Sequence, residues 1–105
     1  MNKNNKLTNI LSIACRAGKV MSGEFVIEKA LSGRNSIKLL LLAKDVALAT
    51  KEKYEKLAEH NKKLLRYTEL TKEEMANSIG KSDRAAVAIC DEGFKKAILK
   101  IIDSE

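Results

Sequence analysis

The sequence predicts an α/β fold, a three-layer α/β/α sandwich in which helices cover both faces of one sheet. Segments with a helical hydrophobic period alternate with short strand-like segments along the 105 residues. The run Ile37–Ala43 is almost wholly apolar, which is typical of a strand that is buried on both faces. The chain has no proline and five glycines, and several of those glycines stand where a predicted helix stops.

The first third of the chain is predicted to hold two helices and a very short strand. Apolar residues at helical spacing predict a helix over about residues 5–17, and Gly18 fits its C-terminal cap. Lys19–Met21 fits the short strand. Ser22-Gly23 then opens a second helix that stops at Gly33. The side chains expected to face inward on this second helix are Val26, Ile27, Ala30 and Leu31.

Beyond the apolar run, helices and strands continue to alternate. Residues 50–61 are predicted to form a third helix with Thr50 as its N-cap, and Leu64–Tyr67 a strand. Ala85–Cys90 is predicted as a last buried strand, and Asp91 as the cap of the last helix. The inward-facing side chains are expected to be Tyr54, Leu57 and Ala58 in the third helix, and Phe94, Ala97, Ile98, Ile101 and Ile102 in the last.

The fourth helix has the clearest start signal in the chain. Thr71 and Glu74 have the spacing of a capping box, in which each side chain bonds the backbone amide of the other residue. Leu70 and Met75 stand at the positions of a hydrophobic staple, and Gly80 ends the helix. The predicted order is therefore α-β-α-β-α-β-α-β-α, within one domain over residues 1–105.

Composition narrows the cellular context. The longest apolar run, Leu39–Ala43, is far too short to cross a bilayer, and no long apolar stretch follows the N-terminus. We therefore expect no membrane association, no signal peptide and a cytoplasmic location. The two cysteines, Cys15 and Cys90, are expected to stay reduced there.

The charge is basic and unevenly distributed. The net charge is +6; residues 1–66 hold 14 Lys/Arg and 6 Asp/Glu, whereas residues 67–105 hold 6 and 8. A basic N-terminal part indicates a polyanionic partner. A lysine-rich solvated surface without a partner is the alternative that the charge count leaves open.

No catalytic motif stands out. The only histidine, His60, has neither a ligand set nor a nucleophile at a recognisable spacing. Arg16–Lys19 contains Gly-Lys, but Ile13 stands where a phosphate-binding loop needs its first glycine. We therefore expect no enzyme, no metal and no cofactor.

Two loop–helix junctions suit RNA. The first leads from Arg16–Lys19 into the second helix, whose free amides can hold a phosphate and whose Lys29 adds a cation. The second, residues 80–86, is a short polar loop before a buried strand. Both could equally be ordinary turns, and the spacing alone leaves open whether they meet in space.

At these junctions the chain resembles the ribosomal protein L-seven-Ae superfamily of kink-turn RNA binders, and in particular its bacterial YlxQ branch. The resemblance covers about residues 7–100. The matching stretches are Arg16–Gly23, Leu39–Asp45, Ile79–Lys81 and Arg84–Gly93. It implies a sandwich with a four-stranded mixed sheet, and RNA binding through the two junctions.

The resemblance also has a departure. The superfamily opens its second helix with Gly-x-Asn-Glu-x-x-Lys, whose polar pair reads the sheared G·A pairs of a kink-turn. Gly23 matches the glycine, and Lys29 falls at or next to the lysine. Phe25 and Val26 stand where the polar pair would be, and neither side chain forms hydrogen bonds. Glu24 supplies a glutamate if the register is shifted by two residues.

The sequence therefore leads to two hypotheses. The first is a non-catalytic, monomeric RNA-binding protein, associated with the ribosome or another ribonucleoprotein, that recognises kink-turn-like RNA. The second is a protein-interaction module on the same fold, which the apolar pair Phe25 and Val26 favours. The residues expected to contact RNA are Arg16, Gly18, Lys19, Ser22, Gly23, Glu24, Phe25, Lys29, Lys44, Lys81, Arg84, Ala85 and Ala86.

Overall fold

The computed structural model describes residues 2–33 and 36–104. Helices and strands alternate in the predicted order. The elements are α1 (Lys3–Arg16), β1 (Val20–Ser22), α2 (Glu24–Leu31), β2 (Leu39–Leu42), α3 (Leu48–His60), β3 (Leu64–Tyr67), α4 (Lys72–Ser78), β4 (Ala86–Ile89) and α5 (Glu92–Asp103).

The four strands form one mixed sheet in the order β1-β4-β2-β3. β2 runs parallel to β3 and antiparallel to β4, and β1 pairs antiparallel with β4. In this register Leu39 lies beside both Ile89 and Leu64, and Val20 lies on the other side of Ile89. The mixed, four-stranded sheet that the resemblance implied is confirmed.

Helices cover both faces of the sheet, and β2 shows why this strand is apolar throughout. Leu39 and Leu41 face a core shared with α1, α4 and α5. Leu40 and Leu42 face a second core shared with α2 and α3. All four leucines have no measurable solvent exposure, so both faces of β2 exclude water. The predicted three-layer sandwich is confirmed.

Several predicted caps are present. The Glu74 amide donates to the Thr71 hydroxyl at 3.1 Å, and the Thr71 amide donates to the Glu74 carboxylate at 2.9 Å. The Asp91 carboxylate accepts from the Phe94 amide at 2.9 Å. Gly80 follows α4 with a φ of +70°, which a residue with a side chain rarely adopts.

Two local predictions are wrong. Thr50 is not an N-cap, because the Lys51 amide already donates to the Ala47 carbonyl at 2.9 Å, so α3 begins at Leu48 with Ala47 as its cap. Val26 does not face inward and is 50% exposed. Ile27 forms the buried seam of α2 instead, because Val26 is rotated about 100° away from it around the helix axis.

Among the helices of residues 2–33 and 36–104, none is both long enough and apolar enough to cross a bilayer.

Candidate nucleic-acid interface

The second part of the first junction, from Ser22 into α2, meets the second junction at one edge of the sheet. Because β1 and β4 are antiparallel, the end of β1 lies beside the start of β4, with Ser22 opposite Val87. The Arg84 Nε donates to the Ser22 Oγ at 3.3 Å, which ties the second loop directly to the end of β1. The question that the sequence left open is therefore answered by the strand pairing.

A cleft of about 240 Å³ opens between the junctions. This is slightly smaller than the roughly 300–1,000 Å³ of sites for drug-sized ligands, so its size suits a single base or phosphate group. Five of the predicted residues line it: Gly23, Glu24, Arg84, Ala85 and Ala86. The remaining lining residues were not among the predicted contacts: Ala47, Thr50, Tyr54, Lys72 and Asp83.

Arg84 is fixed by two hydrogen bonds on its protein side. Besides the bond to Ser22, its Nη1 donates to the Ser82 carbonyl at 2.8 Å. A guanidinium carries five N–H donors, so about three remain for a ligand. A held guanidinium of this kind is well suited to a phosphate, because it loses little side-chain entropy on binding.

Glu24 faces the cleft as one member of an ion-pair triad. Lys53 on α3 approaches the Glu24 carboxylate to 2.5 Å and the Glu28 carboxylate to 2.9 Å. The hydrogen bond to Glu24, followed by that to Glu28, raises the pKa of Lys53 above its usual range. Lys53 therefore offsets one of the two negative charges that would otherwise repel a polyanion at this helix end.

Tyr54 contributes a hydroxyl that the protein itself does not use. Its side chain is only 2% exposed, yet it lines the cleft. No hydrogen bond to this hydroxyl exists in the described part of the chain. Every side-chain oxygen or nitrogen there that is fully buried has a hydrogen-bond partner. Since the Tyr54 hydroxyl has none, it must be in contact with solvent. Burial, and then the charge of Glu24, raises the pKa of Tyr54 to about 12, so the hydroxyl stays a proton donor at neutral pH.

The first turn of α2 is open to a ligand. Its N-cap is Gly23, with a φ of +94° and no side-chain hydrogen bond to the turn. Any residue with a Cβ would be strained at that φ. Uncapped amides at a helix N-terminus carry partial positive charge and can hold a phosphate oxygen.

An apolar rim adjoins this edge. Phe25 is 75% exposed and Val26 50% exposed, both in the first turn of α2. Leu48, which follows the cleft residue Ala47, is 69% exposed. The structure thus places Phe25 beside the cleft, in solvent, where it is free to contact a partner.

The remaining predicted contacts are distributed around the molecule. Arg16, Gly18 and Lys19 precede β1 and lie at the opposite end of the sheet from the cleft, because β1 runs between the two places. Lys44 follows β2 at the cleft end, where the amide of its neighbour Ala43 donates to the Ala85 carbonyl at 2.8 Å.

Two further predicted lysines do not line the cleft. Lys29 is exposed on the second turn of α2, and Lys81 is exposed in the loop that leads to Arg84. The structure therefore brings part of the predicted set together and leaves the Arg16–Lys19 segment elsewhere.

The predicted site residues omitted Tyr54 and Lys72, which line the cleft, and Lys53, which bonds the cleft residue Glu24. Tyr54 was expected only as an inward-facing residue, and nothing in its spacing indicates a free hydroxyl. Lys72 directly follows the N-cap Thr71, and its amide donates to the Asp45 carboxylate at 2.7 Å. A search for cations beside caps would have found Lys72, whereas Lys53 meets Glu24 only through the packing of α3 against α2.

In the described ranges, no group of three or more His, Cys, Asp and Glu residues could hold a metal. Cys15 donates to the Ile79 carbonyl at a sulfur–oxygen distance of 3.7 Å. Burial raises the pKa of the Cys90 thiol, so this cysteine is not activated as a nucleophile.

Comparison with known proteins identifies a curated relative of this chain. The chain is 32% identical over 94 residues to the RNA-binding protein YlxQ of Bacillus subtilis, a match that spans 90% of this chain and 92% of that protein. No protein-family model matches the sequence.

Two solved structures share the fold. A Bacillus halodurans protein of unknown function superposes with a TM-score of 0.84 at 24% identity, covering 94% of this chain and 98% of that one. The Giardia lamblia 15.5 kD RNA binding protein superposes with a TM-score of 0.71 at 13% identity, covering 95% and 84%. At these identities the likeness establishes the fold alone.

Proposed function

Since the chain belongs to the YlxQ branch of the ribosomal protein L-seven-Ae superfamily, we propose that it is a non-catalytic RNA-binding protein. Residues 1–105 would act as one RNA-binding domain. The B. subtilis relative carries the same activity in its name, and the basic charge of this chain suits a polyanionic partner. The partner RNA would be a structured one, of the ribosome or of another ribonucleoprotein in the cytoplasm, bound by a monomer.

The observation that carries the proposal is the cleft itself. Arg84 faces it with unused donors, and Lys72 and the uncapped first turn of α2 line the same space. Phosphate contacts of this kind position an RNA without reading its sequence. Lys29, Lys44 and Lys81 would extend the contact along the backbone, so affinity should fall steeply as salt rises.

Base reading would come from the polar groups deeper in the cleft. The Glu24 carboxylate accepts hydrogen bonds, and the Tyr54 hydroxyl can donate or accept. Both are held by the fold, Glu24 through Lys53 and Tyr54 through its burial. A base whose edge offers N–H groups to Glu24 would be preferred over one that offers only acceptors.

Kink-turn recognition would differ in its chemistry from the superfamily pattern. Phe25 and Val26 are exposed at the positions of the Asn-Glu pair and offer no hydrogen bonds to guanine edges. We propose that RNA shape, together with stacking on the Phe25 ring, replaces that readout. Ala85 and Ala86 would adjoin a flipped-out nucleotide, with Arg84 on its phosphate.

A fluorescence-anisotropy titration tests the proposal with three RNAs. They are a kink-turn, the same RNA with its G·A pairs replaced, and a plain duplex, each at two salt concentrations. We expect salt-sensitive binding to all three and tighter binding to the intact kink-turn. Equal binding to all three would refute kink-turn recognition, and no binding at moderate salt would refute the RNA proposal itself.

One observation favours a second candidate, a protein-interaction module. The exposed apolar rim of Phe25, Val26 and Leu48 is the kind of surface that binds a protein. The two candidates differ in their response to Arg84→Gln. This variant should weaken RNA binding strongly and leave an apolar protein contact almost unchanged, whereas Phe25→Ala should weaken the protein contact most.

A further inference from the structure

Three lysines form a row across the end of the sheet opposite the cleft. Val20 and Leu39 both pair with Ile89, and Leu39 also pairs with Leu64. One residue further out, the same register places Lys19, Cys90, Lys38 and Lys63 side by side. Two hydrogen bonds hold this row: the Cys90 amide donates to the Lys19 carbonyl at 2.8 Å, and the Lys38 amide donates to the Ile89 carbonyl at 2.7 Å. We call Lys19, Lys38 and Lys63 the lysine row.

The row is accessible and is not neutralised by acids. Lys19 and Lys38 are exposed, and Lys63 is half-buried. None of the three forms an ion pair within residues 2–33 and 36–104. The neighbouring carboxylate, Asp91, is engaged as the N-cap of α5. The ammonium groups of Lys19 and Lys38 make no hydrogen bond there, whereas the Lys63 Nζ donates to the Ile37 carbonyl at 3.0 Å.

The cleft end of the same strands carries no comparable row of charges. The positions just beyond the strand ends there are Gly23, Ala85, Ala43 and Thr68, which are small and uncharged. Along β2, the distance from Lys38 to Ala43 is five residues, or about 17 Å of extended chain. The lysine row is therefore a place on the surface separate from the cleft.

We propose that the lysine row is a second RNA-binding surface, which holds the phosphate backbone of a segment other than the one in the cleft. This inference goes beyond the proposed function but rests on it, since both surfaces would act on RNA. The four residues of the row lie one strand spacing apart, so it spans three spacings of about 4.8 Å, or about 14 Å. A duplex presents one phosphate charge per about 1.7 Å of axis, so a segment of that length offers several phosphates.

The contact has no means of reading a sequence. Ammonium groups on flexible stems act as point charges, and the adjoining Cys90 thiol is a weak hydrogen-bonding group. The lysine row should therefore bind any duplex of sufficient length, with an affinity set by salt. A protein with a shape-reading cleft at one end of the sheet and a backbone-binding row at the other would hold two segments of a folded RNA.

The test measures the salt dependence of binding to a plain RNA duplex. The double variant Lys19→Gln/Lys38→Gln is compared with wild type, and Lys63 is left intact because it bonds the backbone. We expect the slope of log affinity against log salt to become shallower by about 1.5, since each lost phosphate contact removes roughly 0.7–0.9. The matched control is Lys96→Gln/Lys100→Gln on α5, which removes the same charge at exposed positions elsewhere and should leave the slope unchanged.

The outcomes separate this inference from the proposed function. If the two double variants behave alike, the lysine row is not a binding surface, while RNA binding through the cleft stands. If wild type binds neither the duplex nor the kink-turn RNA, both ideas fail. The effects of Lys19→Gln/Lys38→Gln and Arg84→Gln should add, because the two surfaces are separate. If a poly-glutamate peptide of matched charge competes as well as the duplex, the row binds acidic chains in general and its assignment to RNA is wrong.

Discussion

Replacing Arg84 with glutamine tests the central contact of the cleft. The change removes the positive charge together with the hydrogen bonds to Ser22 and Ser82. We expect the loss of one charge-assisted phosphate contact to cost about 1.5–3 kcal/mol, or roughly 10- to 150-fold in RNA affinity. The salt slope should become shallower by about 0.7–0.9, the share of one phosphate.

A second substitution at the same position separates charge from geometry. Arg84→Lys keeps the charge but loses the fork that bonds Ser22 and the phosphate together. We expect the salt slope of this variant to stay near that of wild type while its affinity still falls. Lys96→Gln on α5 is the control for net charge, because that side chain is exposed and belongs to another layer.

Fluorescence anisotropy between about 50 and 200 mM salt gives both the affinity and the slope. Circular dichroism confirms that each variant is folded, since the two lost intramolecular hydrogen bonds contribute only about 0.5–1.5 kcal/mol each. If Arg84→Gln binds RNA with the affinity and slope of wild type, Arg84 does not contact phosphate and the cleft is not the RNA site.

Two further predictions concern stability. Thr71→Ala should lower the free energy of unfolding by about 0.5–2 kcal/mol because it removes the α4 cap, whereas Thr50→Ala inside α3 should be nearly neutral; equal losses in chemical unfolding would contradict the assigned helix starts. Folding raises the pKa of Tyr54 from 10.0 to about 12. The unfolded chain therefore loses the phenol proton at a lower pH than the folded protein does, and the free energy of unfolding falls as the pH rises from 10 towards 12. The unfolding free energy of Tyr54→Phe should therefore fall less steeply over that window than that of wild type, and parallel curves would show that this hydroxyl is not responsible.

The ion-pair triad of Glu24, Glu28 and Lys53 explains how an acidic residue would serve in the proposed RNA site. Glu24 and Glu28 stand on one face of α2, where they would repel phosphate. Lys53 bonds both carboxylates, so the triad carries one net negative charge instead of two. The Glu24 carboxylate remains available for a base edge, since it is half exposed and lines the cleft.

Short sequence patterns correctly predicted the order of helices and strands. The capping box at Thr71, the glycine after α4 and the apolar run of β2 each act through neighbouring residues, so each was readable from the sequence. The error at Val26 concerns a helix position whose burial depends on packing. Val26 is as apolar as Ile27, and only the docking of α2 on the sheet selects which of them is buried.

The sequence by itself determined the sandwich, the order of its elements along the chain and the net positive charge, because periodicity, caps and charge can be read from neighbouring residues. Only the tertiary structure decided which distant side chains meet. Ser22 and Arg84 are 62 residues apart and meet because β1 pairs with β4. Glu24 and Lys53 are 29 residues apart and meet because α2 lies beside α3. The lysine row likewise exists only in the register of four strands, and no spacing along the chain encodes that register.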